Sequence, residues 1–399
     1  MRRSIQLALL ATVASAFTTT CVPAGRAGAP YEPQSTALIP LAAIVQTPSD
    51  ATDRGPDLRD DTTPVVLVVL DGVRWQEVFS GVDSALSASH HLRPTPDGRS
   101  DARALLPSLY EALDARGAAL GAPGHGTIAA SGPNFVSLPG YTEIFAGHPA
   151  DACHDNDCAG ATGPTLVDAF RDRAARDADV AVIASWGPIG RAATTTRSRI
   201  VLSTGRQDVS GEPFLVDDPL TRDALARGAR ADARPGHDTF RPDRYTAELA
   251  LRYLDAKRPS FLFVGLGEAD EYAHQDDYAG YLGALRTADA FFGELFAALD
   301  RMGERGRRTL VLVTADHGRA RDYRDHGGGL PESARVWLLA IGGPVRARGL
   351  VDVPFPRHLA DIAPTIRQVS GLPPEAGAHT GAALTELLVN TPEFDLSRR

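Results

Sequence analysis

Lysine is almost missing from this chain. Forty of its 41 basic residues are arginine, and Lys257 stands alone. That excludes the phosphate-binding P-loop and most Schiff-base chemistry, which need a lysine at a set place. Basic charge is outweighed as well: 50 acidic residues leave a formal net charge of -9. A nucleic-acid-binding surface is excluded as the main one, because phosphate backbones are held by a basic face. Cysteine is scarce, with only Cys21, Cys153 and Cys158. The last two bracket "CHDNDC", a short loop that an oxidising compartment closes as a disulfide. Cys21 is then left over.

The apolar run from Ile5 to Phe17 is too short to span a bilayer comfortably, and Arg2 and Arg3 precede it. This is the pattern of a signal peptide. Cleavage after Ala14-Ser15-Ala16 is one outcome. The other is a lipoprotein, attached to the membrane through a lipid on Cys21. Either makes the protein exported, to a bacterial periplasm, the cell envelope or the medium. Residues 1–20 are therefore read as the signal, and 21–61, rich in Pro, Ala, Gly and Asp, as a linker. The folded domain is expected over residues 62–392.

With 43% hydrophobic and 23% charged residues, that domain has the composition of a globular protein with an ample core. It opens on "TPVVLVVLDG", a continuous apolar run typical of a strand buried on both faces. Similar runs recur at 180–185, 260–270, 309–318 and 336–343, separated by amphipathic stretches such as 164–177, 245–257 and 281–302. Strands alternating with helices predict an α/β fold around a mostly parallel central sheet. Residues 200–243 are polar, carry no clear strand, and read as an inserted loop or cap.

Ligands of open parallel sheets sit beyond the carboxyl ends of the strands. Three of the five runs end in acid: Asp71, Asp270 and Asp316, the last followed by His317. Any one of them has a plain alternative, since Asp is common in loops and caps helices. Asp270 and His274 are four apart, so a helical turn puts them on one face, where they can share an ion. A surface pair would have the same spacing. His326 precedes Gly327-Gly328-Gly329, where backbone can approach a site closely. Three carboxylates and three imidazoles suffice for two divalent ions, and nitrogen ligands favour zinc over magnesium or calcium, with manganese as the alternative. Two such ions would clamp the attacking and leaving oxygens at phosphorus. "NFVSLPGYTEIFAG" offers a nucleophile: Ser137, two residues before Pro139 at an expected helix start. Its competing role is an ordinary helix N-cap.

The order Asp, hydroxyl, Asp-x-x-x-His, Asp-His, His resembles the alkaline phosphatase superfamily of phosphatases, phosphodiesterases, mutases and sulfatases. It is carried by "VVLDGVRW", "SLPGY", "DEYAH" and "VTADHG…HGG", and extends from about residue 62 to 390. The stretch "HLADIAPTIRQVSG" is similar to the family's final helix. The resemblance implies a three-layer sandwich, with helices on both faces of the sheet. It implies one zinc on Asp270, His274 and His326, and another on Asp71, Asp316 and His317 with Ser137 as a further ligand. Ser137 would attack a small-molecule phosphate ester, giving a phosphoseryl enzyme that metal-bound water hydrolyses. Tyrosine at 141, where sulfatases resemble C/S-x-P-x-R, argues against a sulfatase. In the phosphodiesterase branch an asparagine about twenty residues after the nucleophile touches the phosphoryl group; Asn156 lies near that distance, and a turn residue would look the same. A monoester needs an extra cation, for which Arg74, Arg191 and Arg319 lie near strand ends, although each reads better as a surface residue. The cofactor-independent phosphoglycerate mutases use serine and manganese but are cytoplasmic and carry a large inserted domain. A sulfatase or a phosphoryl transferase of the same superfamily and a non-catalytic metal-binding lipoprotein stay open beside the hydrolase, as does the choice of monoester or diester. The other histidines lack a paired acid at a strand end and are expected to be bystanders.

Overall fold

Val65–Leu70 (β1) has all six side chains buried, as a strand covered on both faces requires. The structure, a computed structural model, describes residues 62–389 apart from 94–97, 207, 211–214, 216 and 376–379. Of the two units into which the chain divides, Met1–Thr36 and Ala37–Arg399, the description is of the second. The signal segment, the linker and Cys21 lie outside the described residues.

The remaining strands are Gly117–Leu120 (β2), Ile128–Ala129 (β3), Val180–Ala184 (β4), Val201–Thr204 (β5), Asp208–Ser210 (β6), Phe261–Leu266 (β7), Leu310–Thr314 (β8), Arg335–Val336 (β9), Leu338–Gly342 (β10), Gly349–Leu350 (β11) and Arg357–His358 (β12). Nine of them form one sheet in the order β11-β2-β10-β8-β1-β7-β4-β5-β6, and β12, β3 and β9 form a small second one. The five central strands β8, β1, β7, β4 and β5 are parallel, and β10 and β6 run antiparallel beside them. This is the α/β architecture with a mostly parallel central sheet.

The helix Tyr278–Arg301 packs its apolar stripe inward. Tyr281, Leu285, Ala288, Phe292, Leu295 and Leu299 are buried at alternating spacings of four and three, and Asp277 caps its start by accepting from Gly280 N at 2.8 Å. Among the described residues no helix is long and apolar enough to cross a membrane.

One expectation is corrected. Residues 200–243 are not a strandless insertion: Val201–Thr204 pairs in parallel with β4, and Pro219–Arg230 is a helix. The strand is only four residues long, between Arg199 and Gly205-Arg206, too short for its apolar content to rise above the polar flanks.

Candidate metal centre

The site follows from strand register. β1 pairs with β7 so that Leu70 faces Leu266, and with β8 so that Val69 faces Thr314. Asp71, the turn into the helix Glu268–His274, and Asp316-His317 therefore leave the sheet at one carboxyl edge, on three adjacent strands. Gly72 allows this crowding. Its φ is +60°, its N–H donates to Asp316 Oδ1 at 3.1 Å, and a Cβ there would overlap Asp270 Oδ1. Gly140 lets the helix Ser137–Ala146 lie against the carbonyl of Asp316.

The inner half of the site is buried, and is reached where Asp71 and Ser137 line a cavity. Asp71, Asp316 and His317 are buried and their ligand atoms form one group able to hold an ion. His317 Nε2 stands 3.4 Å from Asp71 Oδ1 and 3.5 Å from Asp316 Oδ2. Ser137 Oγ lies 3.3 Å from Asp71 Oδ1 and 3.3 Å from His317 Nε2. It is not an N-cap: Val136 holds that position and no side chain caps the helix. Asn156 Oδ1 accepts from the neighbouring Leu138 N–H at 2.9 Å. Tyr141, one helical turn after Ser137, donates its hydroxyl to Asp71 Oδ2 at 3.1 Å.

The outer half is partly open. His274 Nε2 is 3.1 Å from Asp270 Oδ2 and 3.0 Å from His326 Nε2. His317 also belongs here: Asp270, His317 and His326 form a second group able to hold an ion, and the rings of His317 and His326 stack at 3.9 Å. The two groups thus meet at His317, which stands in the outer one where the resemblance implied His274, a sharing that sequence spacing does not reveal. His317 Nδ1 lies 2.9 Å from the Gly318 carbonyl and His326 Nδ1 3.0 Å from that of Phe135. As Nδ1–H donors, both rings turn an Nε2 lone pair into the site.

Burial is the main force on the charges. It pushes Asp71 up to about 7, with Asp270 adding to it, and holds Asp316 well above the carboxylate range, with Asp71 adding to it. Burial also acts on Asp270, but Arg319, His274 and His326 outweigh it and hold that carboxyl well below its usual range. Burial lowers His317 to about 4, and burial with His317 beside it lowers His326 to about 3, so both are neutral, as ligands must be. The hydrogen bond to Asp270 raises His274. Asp316 Oδ2 is buried without a hydrogen-bond partner, an acceptor of the kind a cation completes. Three converging carboxylates and three imidazoles with one orphaned oxygen fit divalent metal ions.

A cavity of about 390 Å³ opens on Ser137, Asp71, Asp270 and His274. Asn156, Arg191, Trp186, His237, Phe240 and Glu271 also line it. Sequence reasoning passed over Trp186, Phe240 and Glu271, set His237 aside with the bystander histidines, and used Tyr141 only to argue against a sulfatase; only Tyr141, four residues from Ser137, had a spacing that could have found its place in the site. Arg74 and Arg319 are corrected from surface to interior, at 1% and 2% exposure. Arg74 is paired with Glu77, and Arg319 with Asp270. Lys257, at the end of the helix Asp243–Lys257, pairs with Asp217. Cys153 and Cys158 are joined by a disulfide, with Cα atoms 5.2 Å apart.

Known proteins resemble this chain in two ways. Residues 239–374 match the Metalloenzyme superfamily model, a stretch that contains Asp270, His274, Asp316, His317 and His326 but neither Asp71 nor Ser137. In sequence, a phosphopentomutase of Herpetosiphon aurantiacus is 34% identical over 141 residues, 35% of this chain and 33% of that one. A 2,3-bisphosphoglycerate-independent phosphoglycerate mutase of Cereibacter sphaeroides is 37% identical over 116 residues, 28% and 22% of the two. The matched stretch thus spans a third or less of these relatives' length. In structure, a variant of the alkaline phosphatase PafA superposes with a TM-score of 0.53 at 13% identity, covering 82% of this chain and 99% of that one. The phosphonate monoester hydrolase of Silicibacter pomeroyi does so with 0.52 at 15% identity, covering 84% and 78%.

Proposed function

We propose that the chain is a member of the alkaline-phosphatase-like superfamily of metalloenzymes and a phosphoric-ester hydrolase with Ser137 as its nucleophile, a reading supported by the metalloenzyme match over residues 239–374 and by the shared fold. The observation that carries the reading is Ser137 Oγ, free of any capping role and 3.3 Å from both Asp71 Oδ1 and His317 Nε2. Asp71, Asp316 and His317 would hold one divalent ion and Asp270, His274 and His326 the other, with His317 between them; zinc fits this donor set, and manganese is the alternative. Bound there, the ions supply positive charge that lowers the pKa of a hydroxyl or water and stabilises a phosphorane-like transition state.

The chain's own residues do the rest. Ser137 Oγ forms a bond to phosphorus as the bond to the leaving alcohol breaks, giving a phosphoseryl enzyme, and water then releases phosphate and restores the hydroxyl. Asn156 lines the cavity and is anchored through Oδ1 on Leu138 N–H, and its amide would donate to a phosphoryl oxygen bound there. Arg191 lines the same wall and donates to the Asn156 carbonyl at 2.7 Å. The substrate is a small phosphate ester. Export is part of the proposal, supported by the Cys153–Cys158 disulfide and by the apolar run behind Arg2 and Arg3.

A second reading, transfer of the phosphoryl group to an alcohol instead of water, is favoured by the mutases among the sequence relatives. The test is elemental analysis for zinc and manganese together with assays on nitrophenyl phosphate and bis-nitrophenyl phosphate, with and without acceptor alcohols. Two metals per chain and cleavage lost in Ser137→Ala are expected, and the preferred ester assigns the branch. Transfer products support the second reading. Two metals with no turnover on phosphate or sulfate esters would leave a binding protein, and no metal at all would refute the site.

A further inference from the structure

Arg319 follows Asp316-His317 closely in sequence, is buried, and is not among the residues that line the cavity beside Ser137. One arm of its guanidinium, Nη1, donates to the carbonyls of Tyr323 at 3.0 Å and Arg324 at 2.5 Å. The other, Nη2, donates to the Asp270 carbonyl at 3.1 Å and pairs with Asp270 Oδ1. The two arms hold different pieces of chain: the helix that carries Asp270 and His274, and the loop that delivers His326. That loop has little secondary structure of its own. It is closed by Ala320 N–H on the Asp325 carbonyl at 2.8 Å and anchored by the Tyr323 ring, 5.1 Å from Tyr278 and 5.8 Å from Tyr281. Arg74 grips it from another side, donating to the Arg321 carbonyl at 2.9 Å, and touches no metal-ligand candidate.

We infer that Arg319 is the positioning residue of the outer metal subsite, its planar fork setting Asp270 and His326 at the separation an ion requires. The inference rests on the two-metal reading above. A guanidinium can reach four acceptors on two segments at once, whereas an ammonium is a single point with a different geometry, so Arg319→Lys is not a conservative change here. Residues that orient metal ligands in this way carry about 10–100-fold in metal affinity. The inner subsite, fixed by strand ends and Gly72, does not depend on the bridge.

The experiment is zinc titration of the metal-free protein against a chromophoric chelator, for the wild type, Arg319→Lys and Arg74→Lys, with a thermal melt of each in chelator. The wild type should bind two zinc ions tightly. Arg319→Lys should keep one tight ion and bind the second about 10–100-fold more weakly. Arg74→Lys should melt lower yet bind both as the wild type does, because it loosens the loop without touching Asp270. Unchanged binding in Arg319→Lys overturns the inference. So does equal loss in both variants, which would make Arg319 one more loop clasp. Arg319→Gln, which keeps a donor for Asp270 but cannot bridge, answers the question if the lysine variant does not fold. A wild type that binds no zinc refutes the two-metal reading instead, a result separate from the others.

Discussion

Asp316 and Asp270 are both buried carboxylates at the same edge of one sheet, yet only Asp270 has a cation, Arg319, paired with it. Asp316 has a backbone N–H on one oxygen and nothing on the other. Around it the inner half gathers Asp71 and the neutral His317, with no arginine in reach of either carboxylate by a hydrogen bond or ion pair among the described residues. The outer half is nearly balanced before any ion arrives. Burying two carboxyls with no cation is expensive, whether they stay charged or are forced to hold their protons, and a cation bound in the inner half would relieve that cost. The outer half makes sense either way, and this is why its identity as a site leans on the inner one.

The sharpest way to break this comparison is Asp316→Asn. If the inner half holds the ion that activates Ser137, turnover should fall by on the order of 10⁴-fold or more, the scale on which members of an interdependent catalytic set are lost. An assay on the preferred nitrophenyl ester checks it. A loss of only a few-fold would mean that the outer half alone performs the chemistry.

Next in size is the stability of the metal-free chain, where the halves should respond with opposite signs. Asp270→Asn strands the Arg319 charge in the interior, and breaking a buried pair from one side costs about 3–5 kcal/mol. Chemical denaturation in chelator at neutral pH measures it. Asp316→Asn should instead stabilise the metal-free chain, by about 1–3 kcal/mol, because it removes an unsatisfied buried acid. The pH dependence fixes the sign. Asp316 has a folded-state pKa above its ordinary 3.8, so the folded chain holds a proton that the unfolded chain releases, and wild-type stability falls as pH rises above that value. The gap between variant and wild type should therefore be small near pH 4 and widen toward neutral. A gap that narrows with pH would mean that Asp316 has a cation we have not identified.

The comparison also explains what the sequence discloses. β1, β7 and β8 are legible because strands buried on both faces are apolar without interruption, and an acid at the end of such a run is conspicuous. Asp71, Asp270, Asp316 and His317 were found that way, and His274 by its spacing from Asp270. Arg319 was not, because its partners are the Asp270 carboxylate, 49 residues away, and backbone carbonyls that leave no trace in sequence. In a chain with forty arginines, an arginine after a strand end gives no reason to expect burial. β5 was missed because four residues are too few to show a period, and the cavity wall from Trp186 and Phe240 because no spacing links them to Ser137.

The smallest effect concerns a residue that belongs to neither half. Asn156 holds Leu138 N–H through Oδ1 and lines the cavity, where its amide would donate to a phosphoryl oxygen, and two substitutions separate those tasks. Asn156→Ala removes both. Because the position is exposed, water can replace the lost acceptor, so the stability change should be about 1 kcal/mol or less. Asn156→Asp keeps an acceptor for Leu138 but replaces the donors with negative charge beside an anionic substrate. If Asn156 binds the phosphoryl group, the Asp variant should have the poorer kcat/KM of the two while its melting temperature and zinc content match the wild type. Equal activity of the two variants would assign Asn156 to shaping the start of the Ser137 helix and leave phosphoryl recognition to Arg191.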